Sequence, residues 1–225
     1  MTGLEIETTT NSGLHEFVAT DVLPRFAQPG EAAIDLGTGP GAMASRLKAL
    51  GLDVRAADIE TTGYKAEAPF SRIDLNGSQF STQLGEESWS LVTAIEVIEH
   101  VESPISFLRN VGRLLKPRAV AVVTTPNVDS VPARLKFLLT EKIRMMDKLG
   151  EPTHISPIFW DLFERQFLPR AGLALVEHHL YPHHGYNMSR ARYSWVLGSI
   201  AKVLPGKCQY GDNHVFVLRR RTEDL

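Results

Sequence analysis

Three side chains able to do chemistry stand close together in Glu96-Val97-Ile98-Glu99-His100. If a helical turn begins there, Glu96, Glu99 and His100 fall at i, i+3 and i+4 and share one face. Two carboxylates and an imidazole on one face are costly unless a positive charge balances them. Oxygen donors with an imidazole suit Mg²⁺, Mn²⁺ or Fe²⁺ better than a structural zinc. His154, in Pro152-Thr153-His154, becomes a fourth donor if the chain returns to this point. Two other readings stay open. One is a metal-free site in which His100 or His154 takes a proton. The other is a packed turn in which Glu96 touches a cofactor and Glu99 caps the turn.

A second group lies upstream, in Ile34-Asp35-Leu36-Gly37-Thr38-Gly39-Pro40-Gly41. An apolar run enters it from Ala32, and a helical pattern (Ala42, Met43, Leu47, Leu50) leaves it, which reads as strand, tight turn, helix. Gly37 and Gly39 have no Cβ, so a ligand can approach the backbone closely. The Lys-Ser/Thr pair of a phosphate loop is absent, and the spacing is G-x-G-x-G rather than G-x-G-x-x-G. Asp58 ends the next apolar run, where a carboxylate can accept both ribose hydroxyls of a nucleoside. Asp35 would face an ammonium, directly or through water. A nucleoside bearing an ammonium, with little demand for phosphate, points to S-adenosylmethionine.

The elements that must position these residues follow from hydrophobic period. Strands are expected at 32–36, 52–57, 71–75, 89–95 and 120–124, with helices after the glycine turn, at 78–84, and from Ser103-Pro104 to Pro117. That alternation gives a parallel sheet with right-handed crossovers. Asn11 or Ser12 caps a first helix carrying Leu14, Phe17, Val18 and Val22, which covers the cofactor or a sheet edge. A helix from Ser156 to Gly172 and strands at 173–177 and 215–218 complete the chain. The expected architecture is α/β: a Rossmann-like, seven-stranded, mostly parallel sheet with helices on both faces. It forms one domain over 1–225, with a helical lid insertion at 131–155 and a second insertion at 178–213.

Asp35 to Gly41, together with Asp58, resembles the first two motifs of class I S-adenosylmethionine-dependent methyltransferases. Asp74-Leu75-Asn76 resembles the third, which contacts adenine. The resemblance covers roughly residues 32–172. It implies a cofactor site made of Asp35, Gly37, Thr38, Gly39, Asp58, Ile59, Asp74, Leu75 and Ile95. Glu96-x-x-Glu99-His100-Val101, then Thr124-Thr125-Pro126-Asn127 and Thr153-His154, is similar to two families. These are the ubiquinone-pathway catechol O-methyltransferases and the small-RNA 2′-O-methyltransferases. In the second, two glutamates and two histidines hold a divalent metal, which implies Glu96, Glu99, His100 and His154 as ligands here. Lys116-Pro117-Arg118-Ala119 stands before the fifth strand where Pro-Gly-Gly is usual.

The resemblance implies methyl transfer to a hydroxyl of a small molecule such as a phenol, a sugar or a secondary metabolite. The oxygen attacks the sulfonium methyl in line, and positioning supplies much of the rate. Mg²⁺ or another divalent metal would lower the hydroxyl pKa; without one, His100 or His154 takes the proton. The alternatives are an RNA 2′-hydroxyl acceptor and a non-catalytic module that only binds S-adenosylmethionine.

Composition narrows the field. A net charge of −2 and the absence of a basic stripe with interleaved aromatics argue against nucleic acid. One cysteine, Cys208, excludes an internal disulfide and a cysteine-based zinc site. The N-terminus lacks a basic-then-apolar leader, no run is long enough to span a membrane, and a cytoplasmic location is expected. The stretch 131–149 is amphipathic and rich in Lys and Arg, including Lys148. It reads as a lid packed on the sheet or a surface that leans on a membrane. His178-His179 and His183-His184 read as a substrate wall or as solvated residues rather than a second metal site, since no acid lies close by in sequence. Arg190, Arg192 and Arg219-Arg220-Arg221 read as solvated or as contacts for an anionic substrate, and Trp160 and Trp195 as packing residues.

Overall fold

Successive residues of a strand point to opposite faces of a sheet, so a strand buried on both sides must be apolar at every position. The central runs satisfy this. They form β1 (Ala32–Leu36), β2 (Asp53–Asp58), β3 (Phe70–Arg72), β4 (Trp89–Ala94) and β5 (Leu115–Pro126), joined by β6 (Leu173–Tyr181) and β7 (Asn213–Arg220). The computed structural model describes residues 10–147, 152–187, 197, 199–202 and 206–221; Lys148, Arg190, Arg192 and Trp195 lie outside the described residues. The strands make one seven-stranded sheet in the order β3-β2-β1-β4-β5-β7-β6. β1 to β5 run parallel, and β7 runs antiparallel to both β5 and β6. The architecture is the Rossmann-like α/β sheet expected from the sequence.

Alternation along the strands divides the interior into two cores. Ile34, Val92, Val123 and Phe216 face α3 (Phe80–Leu84), α4 (Pro104–Leu114), α6 (Trp160–Leu162) and α7 (Leu168–Ala171), with a π turn, Phe163–Phe167, joining the last two. Ala33, Leu91, Val122 and Val217 face α1 (Leu14–Phe17), its π-turn continuation Val18–Val22, and α2 (Ala42–Ala49). β1 pairs with β2 on one side and β4 on the other, so the chain reverses its direction of travel across the sheet at β1. Crevices at such reversals, beyond the carboxyl ends of the strands, are where open α/β sheets bind ligands.

Several boundaries differ from the sequence reading, each for a local reason. β5 starts at Leu115, straight after α4. Its register jumps between Trp89↔Leu115 and Leu91↔Val120, and Arg118 takes φ 68°, so an arginine does the turning expected of glycine. β3 ends at Arg72, which leaves Asp74 and Leu75 in the loop beyond the sheet. β6 runs to Tyr181 because it pairs with β7 over its whole length, so His178 and His179 belong to a strand and the second insertion begins after them. Gly13 (φ 81°), not Asn11 or Ser12, occupies the N-cap of α1, because the Asn11 side chain is used elsewhere.

Helix α5 (Val131–Thr140), which falls in the stretch expected to be a lid, buries only Val131 and Ala133. Leu138 and Leu139 are 77% and 79% exposed, so its far end does not pack on the sheet. No described helix is long and apolar enough to cross a membrane.

Candidate functional site

The turn after β1 is built by positive φ at Gly37 (64°), Gly39 (51°) and Gly41 (95°). Two of these positions also have no room for a side chain. A Cβ at Gly37 would stand 2.5 Å from Val97 Cγ2, and one at Gly41 2.6 Å from Ala66 Cβ. Asp35 is 1% exposed and accepts from the hydroxyls of Thr38 (2.6 Å) and Thr93 (2.7 Å). Burial raises its carboxyl to about 6, against the opposing pull of those two hydroxyls. Asp58 accepts the Gly39 N–H at 2.8 Å and the Glu60 N–H at 3.2 Å, so the acid at the end of β2 also holds the glycine turn.

These residues line one cavity of about 400 Å³. All nine positions assigned to a cofactor border it: Asp35, Gly37, Thr38, Gly39, Asp58, Ile59, Asp74, Leu75 and Ile95. Glu96 and His100 border it too, and so does His15, which the sequence reading treated only as part of a covering helix. Burial, then the Arg46 charge, lowers the His15 imidazole to about 4. Neither His15 ring nitrogen has a hydrogen-bond partner among the described residues.

Glu96 to His100 form a turn rather than the helical face expected. Glu96 takes φ 55°, a left-handed conformation rare in side-chain-bearing residues, and the Thr124 hydroxyl accepts its N–H at 2.9 Å. That twist separates the two glutamates. The Glu96 carboxylate turns toward β7, where Asn213 Nδ2 donates to it, and Asn213 Oδ1 in turn accepts from Asn11 Nδ2 at 2.8 Å. Burial raises the Glu96 carboxyl to about 7. The asparagines carry no local sequence signal, because their partner is brought by strand pairing at the other end of the chain.

Glu99, His100 and His154 do come together: one donor atom from each lies within 4.8 Å of the others, and Glu96 stands outside this group. His154 arrives because the chain is stitched back to the turn. Ile155 N–H and Ser156 N–H both donate to the Glu99 carbonyl at 2.9 Å, and Ser156 Oγ donates to the Val101 carbonyl at 2.7 Å. The rings of His100 and His154 stand edge to face at 4.6 Å. His154 Nδ1 meets the Met145 carbonyl at 2.7 Å, and a carbonyl only accepts, so the proton sits on Nδ1. That turns the Nε2 lone pair toward Glu99 Oε1, 3.9 Å away.

Glu99 is fully buried, and neither carboxylate oxygen has a hydrogen-bond partner among the described residues. Burial first, then the Glu96 charge, raises its carboxyl well above the usual range. A lone pair aimed at an orphaned buried carboxylate is the arrangement that a proton or a cation between them would satisfy. The donor set, one carboxylate and two imidazoles, therefore fits a divalent cation.

Two further sequence readings change in three dimensions. His178 is not solvated: Trp160 stacks on it at 4.1 Å, and it meets His214 in the neighbouring strand. Cys208, read as excluding zinc, is buried in the same cluster, and an acid, Asp129, lies 3.8 Å from His214.

Residues 12–178 match the model of a methyltransferase domain family. The chain is 26% identical over 152 residues to the mitochondrial ubiquinone biosynthesis O-methyltransferase of Schizosaccharomyces pombe, covering 64% of this chain and 55% of that protein. It is 32% identical over 99 residues to a ubiquinone biosynthesis O-methyltransferase of Rickettsia canadensis, covering 42% of each. The chain thus spans about half the length of these curated relatives. A solved methyltransferase from Archaeoglobus fulgidus shares the fold with a TM-score of 0.60 at 16% identity, over 92% of this chain and 94% of that one. A second, from Mesorhizobium loti, has a TM-score of 0.57 at 17% identity, over 94% of this chain and all of that one (100%). With the glycine turn, the acid at the end of β2 and the cavity between them accounted for, the chain belongs to the methyltransferase domain family and shares the fold of those solved methyltransferases.

Proposed function

We propose that this protein transfers the methyl group of S-adenosylmethionine to a hydroxyl oxygen of a small, largely apolar acceptor such as a phenol. One observation carries the reading. His100 borders the cofactor cavity and also belongs to the Glu99–His100–His154 group, so an acceptor hydroxyl beside the cofactor meets a ready proton acceptor. Asp58 would take the ribose hydroxyls, and Asp35 the methionine ammonium. The loop carrying Asp74 and Leu75 would cover the adenine. His100 and His154 hold and move the acceptor's proton, and Glu99 stabilises the imidazolium that results. Glu99, His100 and His154 are also the residues that would hold a divalent cation, which when bound supplies a Lewis acid that lowers the hydroxyl pKa. The in-line approach is a matter of positioning, with no covalent enzyme intermediate.

The acceptor class rests on two supports. Ubiquinone biosynthesis is named for the relatives above, and the exposed apolar end of α5 (Phe137, Leu138, Leu139) suits acceptors presented at a lipid surface. An RNA acceptor has less support. The arginines that share a surface cleft, Arg109, Arg113, Arg118, Arg220 and Arg221, lie at the opposite end of the sheet, by the start of β5 and the end of β7. The test is transfer of labelled methyl from S-adenosylmethionine to a panel of catechols and phenols, and separately to small RNA, with Mg²⁺ or with chelator. Saturable methylation of a phenol supports the reading; methylation of RNA alone overturns it.

A pH dependence follows from Asp35. Its carboxyl sits near 6 in the free protein because it is buried, and an ammonium partner needs the ionised form. Cofactor affinity should therefore rise with pH and level off above 7. At pH 5 it should be about tenfold weaker than the plateau, the linkage expected one unit below the pKa. His15, lowered to about 4, stays neutral over this range and does not contribute. Calorimetric titration with S-adenosylhomocysteine between pH 5 and 8 checks this; a flat profile would show that Asp35 does not meet the ammonium.

A further inference from the structure

A second convergence of ligating groups lies outside the cofactor cavity, on the face of β6 and β7 that α6 covers. His178 on β6 pairs in register with Phe216 and His214 on β7 with Leu180, so the two histidines are diagonal neighbours on adjacent strands, and His178 Nε2 lies 3.0 Å from His214 Nδ1. Cys208, just before β7, is 2% exposed, and one ligand atom from each of the three lies within 4.8 Å of the other two. Two stretches of chain, β6 and the segment that leads into β7, thus bring two ring nitrogens and a sulfur together. We propose that His178, His214 and Cys208 form a binding site for a zinc-class divalent ion that staples the segment before β7 to the sheet.

Chemistry and surroundings both support the assignment. One thiolate with two imidazoles is a borderline-soft set that selects zinc over Mg²⁺ or Ca²⁺. Bonds of about 2.0–2.3 Å space tetrahedral donors about 3.3–3.6 Å apart; the two nitrogens, at 3.0 Å, are already that close, and the sulfur, within 4.8 Å of them, has to move by at most about 1 Å. Both imidazoles are kept neutral by burial, His178 lowered to about 3 and His214 lowered as well, and the neutral ring is the form that ligates. Burial also pushes the Cys208 thiol up to about 12, so it stays protonated until a metal displaces the proton. Nothing else among the described residues satisfies the far nitrogen of His214. Nε2 is buried without a hydrogen-bond partner and faces Asp129 Oδ2 at 3.8 Å. A carboxylate behind the second nitrogen of a ligating histidine is the usual outer support of such sites. Asp129 is itself held by the Trp160 N–H at 2.7 Å, and the Trp160 ring covers His178.

The staple would reach the active site through one residue. Asn213, next to His214, donates to Glu96 in the cofactor cavity, so the metal would fix the strand end that holds that acid. The site shares no ligand with the Glu99 group, and its assignment does not rest on the proposed reaction.

The test uses untagged protein titrated with Co²⁺ in place of zinc. The chain has one cysteine, so a sulfur-to-cobalt charge-transfer band reports Cys208 alone. The band should saturate at one equivalent, disappear on adding Zn²⁺, vanish in Cys208→Ser, and persist in Glu99→Gln. Asp129→Asn should weaken the cobalt affinity by about tenfold to a hundredfold, as loss of an outer partner does. Absence of the band in wild-type protein, a measurement that needs no variant, overturns the proposal. A band at full strength in His178→Ala overturns it as well.

Discussion

Asp58→Ala is expected to lower the affinity for S-adenosylhomocysteine by about a hundredfold, roughly 3 kcal/mol, because hydrogen bonds to a charged acceptor are worth about 1.5–3 kcal/mol each. Two losses combine. The ribose diol loses its acceptor, and the Gly39 N–H, which Asp58 holds at 2.8 Å, is released, so the glycine turn is no longer pinned to the end of β2. Asp58→Asn separates the two. Its amide oxygen can still accept from Gly39, while its amino group cannot accept a ribose hydroxyl. The asparagine variant loses only the longer Glu60 N–H bond of 3.2 Å, so it should keep most of the wild-type thermal stability and lose most of the affinity. Calorimetry alongside thermal melts reads both. Wild-type affinity in both variants would remove Asp58 from the cofactor site.

Glu99→Gln is expected to move activity and stability apart. A buried carboxylate with neither oxygen hydrogen-bonded is a cost to the fold whenever it is ionised. Its folded pKa lies well above the unfolded value. The carboxyl therefore favours the folded state fully only below the unfolded pKa, and that advantage is lost as pH rises through the folded pKa. Glutamine has the same shape and cannot ionise. With chelator present, the variant should melt no lower than wild type at pH 8. If the full cost of about 1 kcal/mol is removed, it should melt roughly 2–4 °C higher. Its turnover should fall by about a hundredfold or more, the range of a lost acid–base or Lewis-acid contribution, with little change in cofactor affinity. A residue that merely packs would lower both or neither. Full turnover in Glu99→Gln, together with full wild-type turnover in excess chelator, would remove Glu99 from the catalytic site and a metal from the reaction.

The parts of this protein legible along the chain are local in origin. The glycines, the threonine and the two acids from Asp35 to Asp58 build their part of the cavity from two adjacent βα units. Their contacts depend on φ angles and on one parallel pairing, β1 with β2, that hydrophobic period already implies. Ser103-Pro104 starts α4 as read, because a cap and a proline act within one turn. Contacts that depend on which remote segment arrives were set only by the folded chain. Glu96 left the shared face because its backbone takes a left-handed twist, held by Thr124 and answered by Asn213, and no helical spacing encodes that. His154 joined Glu99 through backbone hydrogen bonds made after the long insert. Cys208, unremarkable as a lone residue, gained two histidines and an acid only because β6 and β7 pair antiparallel and the loops after β5 and before β7 meet at their edge. Period and turn chemistry act over a few residues and can be read in order along the chain. Strand pairing joins residues up to 99 positions apart, so the polar partners it selects are visible only in the folded molecule.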